Sequence, residues 1–122
     1  MSLRPTMTVR IKDLRLRTII GVYEHERKHR QDVVINVAAE FDGARAAESD
    51  AVEDTVDYKA MKARIVDVVT GSRFRLLERL AAAVLEAVLA DEKVLSASVE
   101  VDKPGALRFC ESVSVTVSGG RA

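Results

Sequence analysis

Tryptophan is absent from the chain, and all aromatic residues together make up only 4% of it. The core must therefore be built from Val, Leu, Ile and Ala, within an overall hydrophobic content of 48%. Cysteine occurs once, at Cys110. One thiol excludes an internal disulfide and fits a reducing compartment; Cys110 itself reads as a small apolar filler. Net charge is lacking too, since 19 basic residues balance 19 acidic ones. A general nucleic-acid binder needs a basic excess to displace counterions, so that class is disfavoured. No apolar run approaches the roughly 20 residues needed to span a bilayer, and the first ten residues, "MSLRPTMTVR", contain no apolar segment of the secretory type. Repeats, low-complexity tracts and Gly/Ser linkers are missing as well. These absences lead to an expectation of one cytoplasmic domain over residues 1–122, without membrane or nucleic-acid partners. A chain of 122 residues buries roughly 65% of its unfolded surface, enough for a true core.

What the sequence does contain is a change of hydrophobic period, and then a change back. In "TVRIKDLRLRTIIG" Val9 and Ile11 share one parity while Leu14, Leu16 and Ile20 share the other. The slip near Lys12-Asp13 predicts a strand interrupted by a bulge. "DVVINVAAEF" puts Val33, Ile35, Val37, Ala39 and Phe41 on one face, with Asn36 and Glu40 opposite. These two strands form a hairpin with a long charged loop between them. "DTVDYKAMKARIVDVVTG" then places Tyr58, Met61, Ile65 and Val68 at helical spacing. Asp54, Thr55 or Asp57 is its candidate N-cap and Gly71 its end. "RFRLLERLAAAVLEAVLAD" predicts a second helix with a stripe of Leu77, Leu80, Ala81, Val84 and Val88. Period two returns in "SASVEVDK" and "ESVSVTVSG". The order is β-β-α-α-β-β, an α+β chain in which two helices cover the apolar face of a four-stranded antiparallel sheet. Arg10, Lys12, Arg15 and Arg17 make the other face basic near its start, and two sheet edges are left open to assembly.

The hairpin loop contains His25-Glu26-Arg27-Lys28-His29, which spells H-E-x-x-H, the zinc-hydrolase pattern. That chemistry needs both His on one face of a helix and a third ligand. From Glu24 to Arg30 every residue is charged or His, so no apolar stripe could hold such a helix against a core. No third His exists. The stretch reads as a solvated charged loop, with no metal expected.

Glu26 stands apart because of its wider context. "IIGVYEHE" resembles the "IGVYxxE" stretch of the dihydroneopterin aldolase family, and three further motifs follow in order. "VDYKAM" resembles the family's tyrosine at the start of the first helix. "RFRLLERLA" resembles its "xFxLVExxA", and "VEVDKPGA" its strand ending in Lys. The ordered set spans nearly the whole chain. It implies the tunnelling fold, in which four subunits join sheets into a barrel and two rings stack into an octamer, with active sites between subunits. It implies Glu26 and Lys103 as the proton-transfer groups and Glu78, next to Leu77, as the carboxylate that anchors a pterin. Tyr58 is implied as a ring that stacks on the pterin from a neighbouring subunit and relays protons.

"RIKDLRLRTIIG", "RQDVVINV" and "ALRFCESVSVTVS" are most similar to the branch of that family that inverts C2' of 7,8-dihydroneopterin triphosphate by retro-aldol and aldol steps. Tyr23 and Pro104-Gly105 look like the aldolases, so cleavage to 6-hydroxymethyl-7,8-dihydropterin and glycolaldehyde in folate synthesis is the alternative. A non-catalytic ferredoxin-like interaction domain is the reading from another class. Arg108 and Arg17, with Lys28 and Arg30, are the candidates for holding a triphosphate, because guanidinium pairs phosphate bidentately.

Overall fold

A computed structural model describes residues 5–121. β1 (Thr6–Thr18) and β2 (Gln31–Asp42) form the first antiparallel pair. α1 (Ala44–Ser49) and a 3-10 turn at Val52–Asp54 lead into α2 (Tyr58–Thr70) and α3 (Leu77–Leu89). β3 (Val94–Pro104) and β4 (Ser112–Gly120) complete a sheet of order β1-β2-β3-β4, antiparallel throughout. The α+β architecture read from the two periods is the observed one.

The bulge falls where the hydrophobic phase slips. Ile11 pairs with Val37 and Leu14 with Ile35, so Lys12 and Asp13 together oppose the single residue Asn36, one residue more than the partner strand. Asp13 takes a left-handed φ of 53°. Its N–H donates to Asn36 Oδ1 at 2.9 Å, and Asn36 Nδ2 donates back to Asp13 Oδ1 at 3.3 Å. Beyond the bulge, Leu14 and Leu16 return to the face that Val9 and Ile11 occupied, and all four pack against the core.

Val33, Ile35, Val37, Ala39 and Phe41 of β2 are buried, as are Val99 and Val101 of β3. They meet Met61, Ile65 and Val69 of α2 and Leu80, Ala81, Val84 and Val88 of α3. Full burial of side chains of this size contributes roughly 1.5–3 kcal/mol each, the main source of the fold's stability. Of the three cap candidates Asp57 does the work: its Oδ1 accepts from Lys59 N at 3.1 Å and Ala60 N at 3.0 Å.

Three boundaries differ from the sequence reading. The first strand ends at Thr18, and Ile19 and Ile20 continue as buried non-strand residues. α1 is an addition; six residues without a buried side chain carry no readable stripe. The second helix starts at Leu77, because the backbone of Arg73 and Phe74 is committed to other partners (below). No helix among the described residues is long and apolar enough to cross a membrane.

Candidate active site

The loop between β1 and β2 is short of regular structure but tightly organised. Gly21 turns the chain with φ of +126°, and Tyr23 then leads into a 3-10 turn at Glu24–Arg27. His25, Lys28, His29 and Arg30 are exposed, as read from the sequence, and the 3-10 turn is an added feature of the loop. The turn ends before His29, so His25 and His29 do not share a helical face. Among the described residues no three metal-binding side chains come together.

The turn buries one carboxylate, Glu26, which is 9% exposed. Lys103 Nζ, from the end of β3 and 77 residues away, hydrogen-bonds Glu26 Oε2. Tyr23 N–H donates to Glu26 Oε1 at 3.2 Å and Gln31 Nε2 donates to Oε2 at 3.4 Å. Gln31 also donates to Ile20 O at 2.7 Å. Burial pushes the Glu26 carboxyl upward. The hydrogen bonds from Lys103, Tyr23 and Gln31, with the charge on Lys103, outweigh it and hold the group below its ordinary value. At neutral pH Glu26 is therefore a carboxylate facing an ammonium.

Gly21 makes room for this pair. A Cβ at Gly21 would lie 2.3 Å from Glu26 Cδ and 2.4 Å from both carboxylate oxygens. No other residue type fits beside Glu26 in its present position.

The pair lies in the wall of an open cleft of about 490 Å³. Val22, Tyr23, His25, Arg75, Leu76, Leu77, Gly105 and Ala106 are among its other lining residues. Tyr23 and His25 stack nearly parallel, with centroids 6.1 Å apart. Two grooves on the polar sheet face hold no ion pair among the described residues; the cleft at Glu26 is where an acid and a base are paired.

Of the residues singled out in the sequence, Glu26, Lys103 and Leu77 meet in this cleft. Glu78 follows Leu77 in the first turn of α3 and is exposed. Tyr58 opens α2, is 58% exposed, and is not among the residues lining its own chain's cleft. Arg17 is engaged elsewhere, donating to Arg30 O at 3.0 Å and lying 3.5 Å from Asp32. Arg30 bonds Thr70 O at 3.0 Å, and Lys28 pairs with Glu24 at 3.4 Å. Arg108 is exposed two residues beyond Ala106. Cys110, expected as an apolar filler, is exposed, because the β3–β4 connection that carries it stands off the core. Sequence reasoning missed Gln31 and Arg27. Neither belongs to a periodic pattern, and both act through backbone carbonyls that a sequence does not display.

The sheet of four antiparallel strands backed by two main helices is the fold of an enzyme class, the dihydroneopterin aldolases, as comparison with known proteins shows. The model of the FolB dihydroneopterin aldolase family matches residues 9–118. The chain belongs to that family. It is 45% identical over 120 residues to dihydroneopterin triphosphate 2'-epimerase of Pseudomonas aeruginosa, covering 98% of each chain. It is 42% identical over 118 residues to the Escherichia coli protein of the same name, covering 97% of this chain and 98% of the other. Among solved structures, Escherichia coli dihydroneopterin aldolase in complex with neopterin superposes with a TM-score of 0.88 at 34% identity, over 93% of this chain and 99% of that one.

Proposed function

We propose that the protein inverts C2' of 7,8-dihydroneopterin triphosphate, giving dihydromonapterin triphosphate. The observation that carries the chemistry is the Glu26–Lys103 pair in the wall of an open cleft beside the start of α3. The choice of epimerisation over cleavage rests on 45% and 42% identity to named epimerases, against 34% to the aldolase structure.

The substrate's own ring supplies the electron sink. Glu26, the carboxylate of its pair with Lys103, takes the proton from the 2'-hydroxyl through a water, and the Lys103 ammonium is the proton donor. The C1'–C2' bond then breaks, its electrons pass into the C6=N5 imine, and an enol-like pterin and a phosphorylated glycolaldehyde result. Rotation of the aldehyde and re-attack by C1' on its other face re-forms the bond with C2' inverted, and the alkoxide regains its proton. Protonation of C1' before re-attack gives aldolase products from the same site.

Glu78 serves as the anchor for the pterin's adjacent ring N–H and amino group, with Leu77 against the ring. Tyr58 stacks on the ring from a neighbouring subunit, which agrees with its exposed place outside its own cleft. Arg108, close to Ala106 at the cleft, is better placed for phosphate than Arg17, which Asp32 already engages. The assembly is an octamer of two stacked four-membered rings. Open edges at β1 and β4 support it, as do Val22, Tyr23, Leu76, Leu107 and Phe109, all more than half exposed; three of these five line the cleft itself.

The test is to give purified protein dihydroneopterin with and without its triphosphate and to resolve neopterin isomers from 6-hydroxymethyl-dihydropterin by chromatography, with light scattering on the same sample. Inversion should exceed cleavage for the triphosphate, whose charged fragment is retained, and cleavage should gain ground without phosphate. Dominant cleavage of both substrates would establish the aldolase reading instead.

A further inference from the structure

We propose that Arg27 is a positioning residue that locks the loop carrying Glu26 to the segment that delivers α3 to the cleft, and so sets the distance between the proton-transfer pair and the pterin anchor. This rests on the pterin-enzyme reading above and goes beyond it, to how the two halves of the site are held in register.

The guanidinium of Arg27 reaches three backbone carbonyls. Nη1 donates to Gly21 O at 3.1 Å and to Phe74 O at 3.0 Å, and Nη2 donates to Arg73 O. Two more bonds cross the same seam. Gly21 N–H donates to Phe74 O at 3.3 Å, and Arg73 Nη2 donates to Arg27 O at 3.2 Å. Arg27 directly follows Glu26, while Phe74 lies two residues before Leu76 and three before Leu77, both in the cleft wall. The seam thus joins the wall bearing the carboxylate to the wall leading to Glu78.

No carboxylate competes for Arg27; it forms no ion pair among the described residues. Its planar fork, with donors fixed in direction, suits three carbonyls on two segments in a way that a single ammonium cannot match. Elsewhere the α2–α3 connection is tied by Thr18 Oγ1 to Ser72 O at 3.1 Å and by Arg30 to Thr70 O. Both of those ties reach residues before Arg73. Removing the Arg27 donors leaves the last stretch before α3 held across the seam only by Gly21 N–H to Phe74 O and by Arg73 to Arg27 O, so it loosens without releasing the whole connection.

The experiment compares wild type with Arg27→Met, which keeps the apolar stem, and Arg27→Lys, which restores part of the donor set. With dihydroneopterin triphosphate, Arg27→Met should lower kcat by about 10–100-fold, the scale of a misplacement near 1 Å, while KM changes by less than about threefold. Arg27→Lys should recover part of the loss. The second readout needs no substrate: the Glu26 side-chain carboxyl followed by ¹³C NMR should titrate at higher pH in Arg27→Met, because the bonds from Tyr23 and Gln31 depend on the loop's position. Wild-type kcat together with an unmoved Glu26 titration in a folded Arg27→Met protein overturns the proposal, as does an equal fall in a melting temperature with no change in either readout. Should Arg27→Met fail to fold, Arg27→Lys alone is compared with wild type, and wild-type kcat with an unmoved Glu26 titration in it overturns the proposal. An inactive wild type would defeat the pterin reading alone; the lock is then decided by the carboxyl titration.

Discussion

Replacing Gly21 with Ala tests how far the site depends on one missing methyl group. A side chain at φ +126° costs roughly 1–3 kcal/mol in backbone strain. The new Cβ would stand 2.3–2.4 Å from the Glu26 carboxylate, so Glu26 must leave and its charged hydrogen bond with Lys103 is lost, costing roughly 1.5–3 kcal/mol more. The sum, about 3–6 kcal/mol, is a large part of a typical domain's 5–15 kcal/mol. At this chain length it corresponds to a fall of about 10–25 °C in Tm. Gly105→Ala is the stability control. Its φ is +69°, but nothing lies within 4 Å of the added Cβ, so only the conformational cost of about 1–2 kcal/mol applies. Denaturant unfolding of Gly21→Ala, Glu26→Ala and the double variant then isolates the clash. Eviction of Glu26 is counted in each single variant but once in the double, so the double should be less destabilised than the sum by about 1.5–3 kcal/mol. Strictly additive losses, or a Gly21→Ala protein no less stable than Gly105→Ala, would refute the steric argument.

Glu78→Ala should weaken neopterin binding by about 10–100-fold in calorimetry, since two pterin donors lose their acceptor, while Tm moves by only a few degrees because the side chain is exposed; unchanged affinity would remove Glu78 from the site. The Glu26–Lys103 pair should impose a defined pH dependence. Because the folded carboxyl sits below its ordinary value of 4.5, its contribution is complete above that value and is lost as pH falls through the lower folded value. Lys103→Met removes the largest of the lowering influences, so the Glu26 pKa rises and the stability lost on acidification shrinks; denaturant unfolding between pH 3.5 and 7 that shows the same slope for both proteins would contradict the assignment.

The hydrophobic periods carried most of the fold, and the reason lies in β2 and α3. Five alternating positions from Val33 to Phe41 are buried on one face, and the α3 stripe from Leu80 to Val88 meets them. A pattern repeated that often is decided by burial, which dominates folding energy. Even the bulge was readable, because a phase slip of one strand against a single core requires an extra residue. The limits of α3 were not readable. Arg73 to Leu76 fit the helical pattern, yet the carbonyls of Arg73 and Phe74 accept from Arg27 across the cleft wall, a partner nearly fifty residues away. Likewise, α1 has no buried side chain to announce it.

The site follows the same division, with one instructive difference. Lys103 and Glu26 belong to separate periodic or charged stretches, and neither spacing nor charge connects residues 77 positions apart; only the resemblance of ordered motifs paired them. What places them together is antiparallel topology. β2 begins at Gln31, five residues after Glu26, and β3 runs antiparallel beside it, so the end of β3 at Lys103 arrives next to the loop that precedes β2. Gln31 stands at that junction, donating both to Ile20 O and to Glu26. The sheet register thus fixes where Lys103 stands, while the glycine at position 21 and the carbonyl contacts of Arg27 fix where Glu26 stands. A substitution that shifts either support should damage the pair without touching a charged atom of it. For that reason Gly21 and Arg27 test the origin of the site's geometry more sharply than removal of Glu26 or Lys103 themselves.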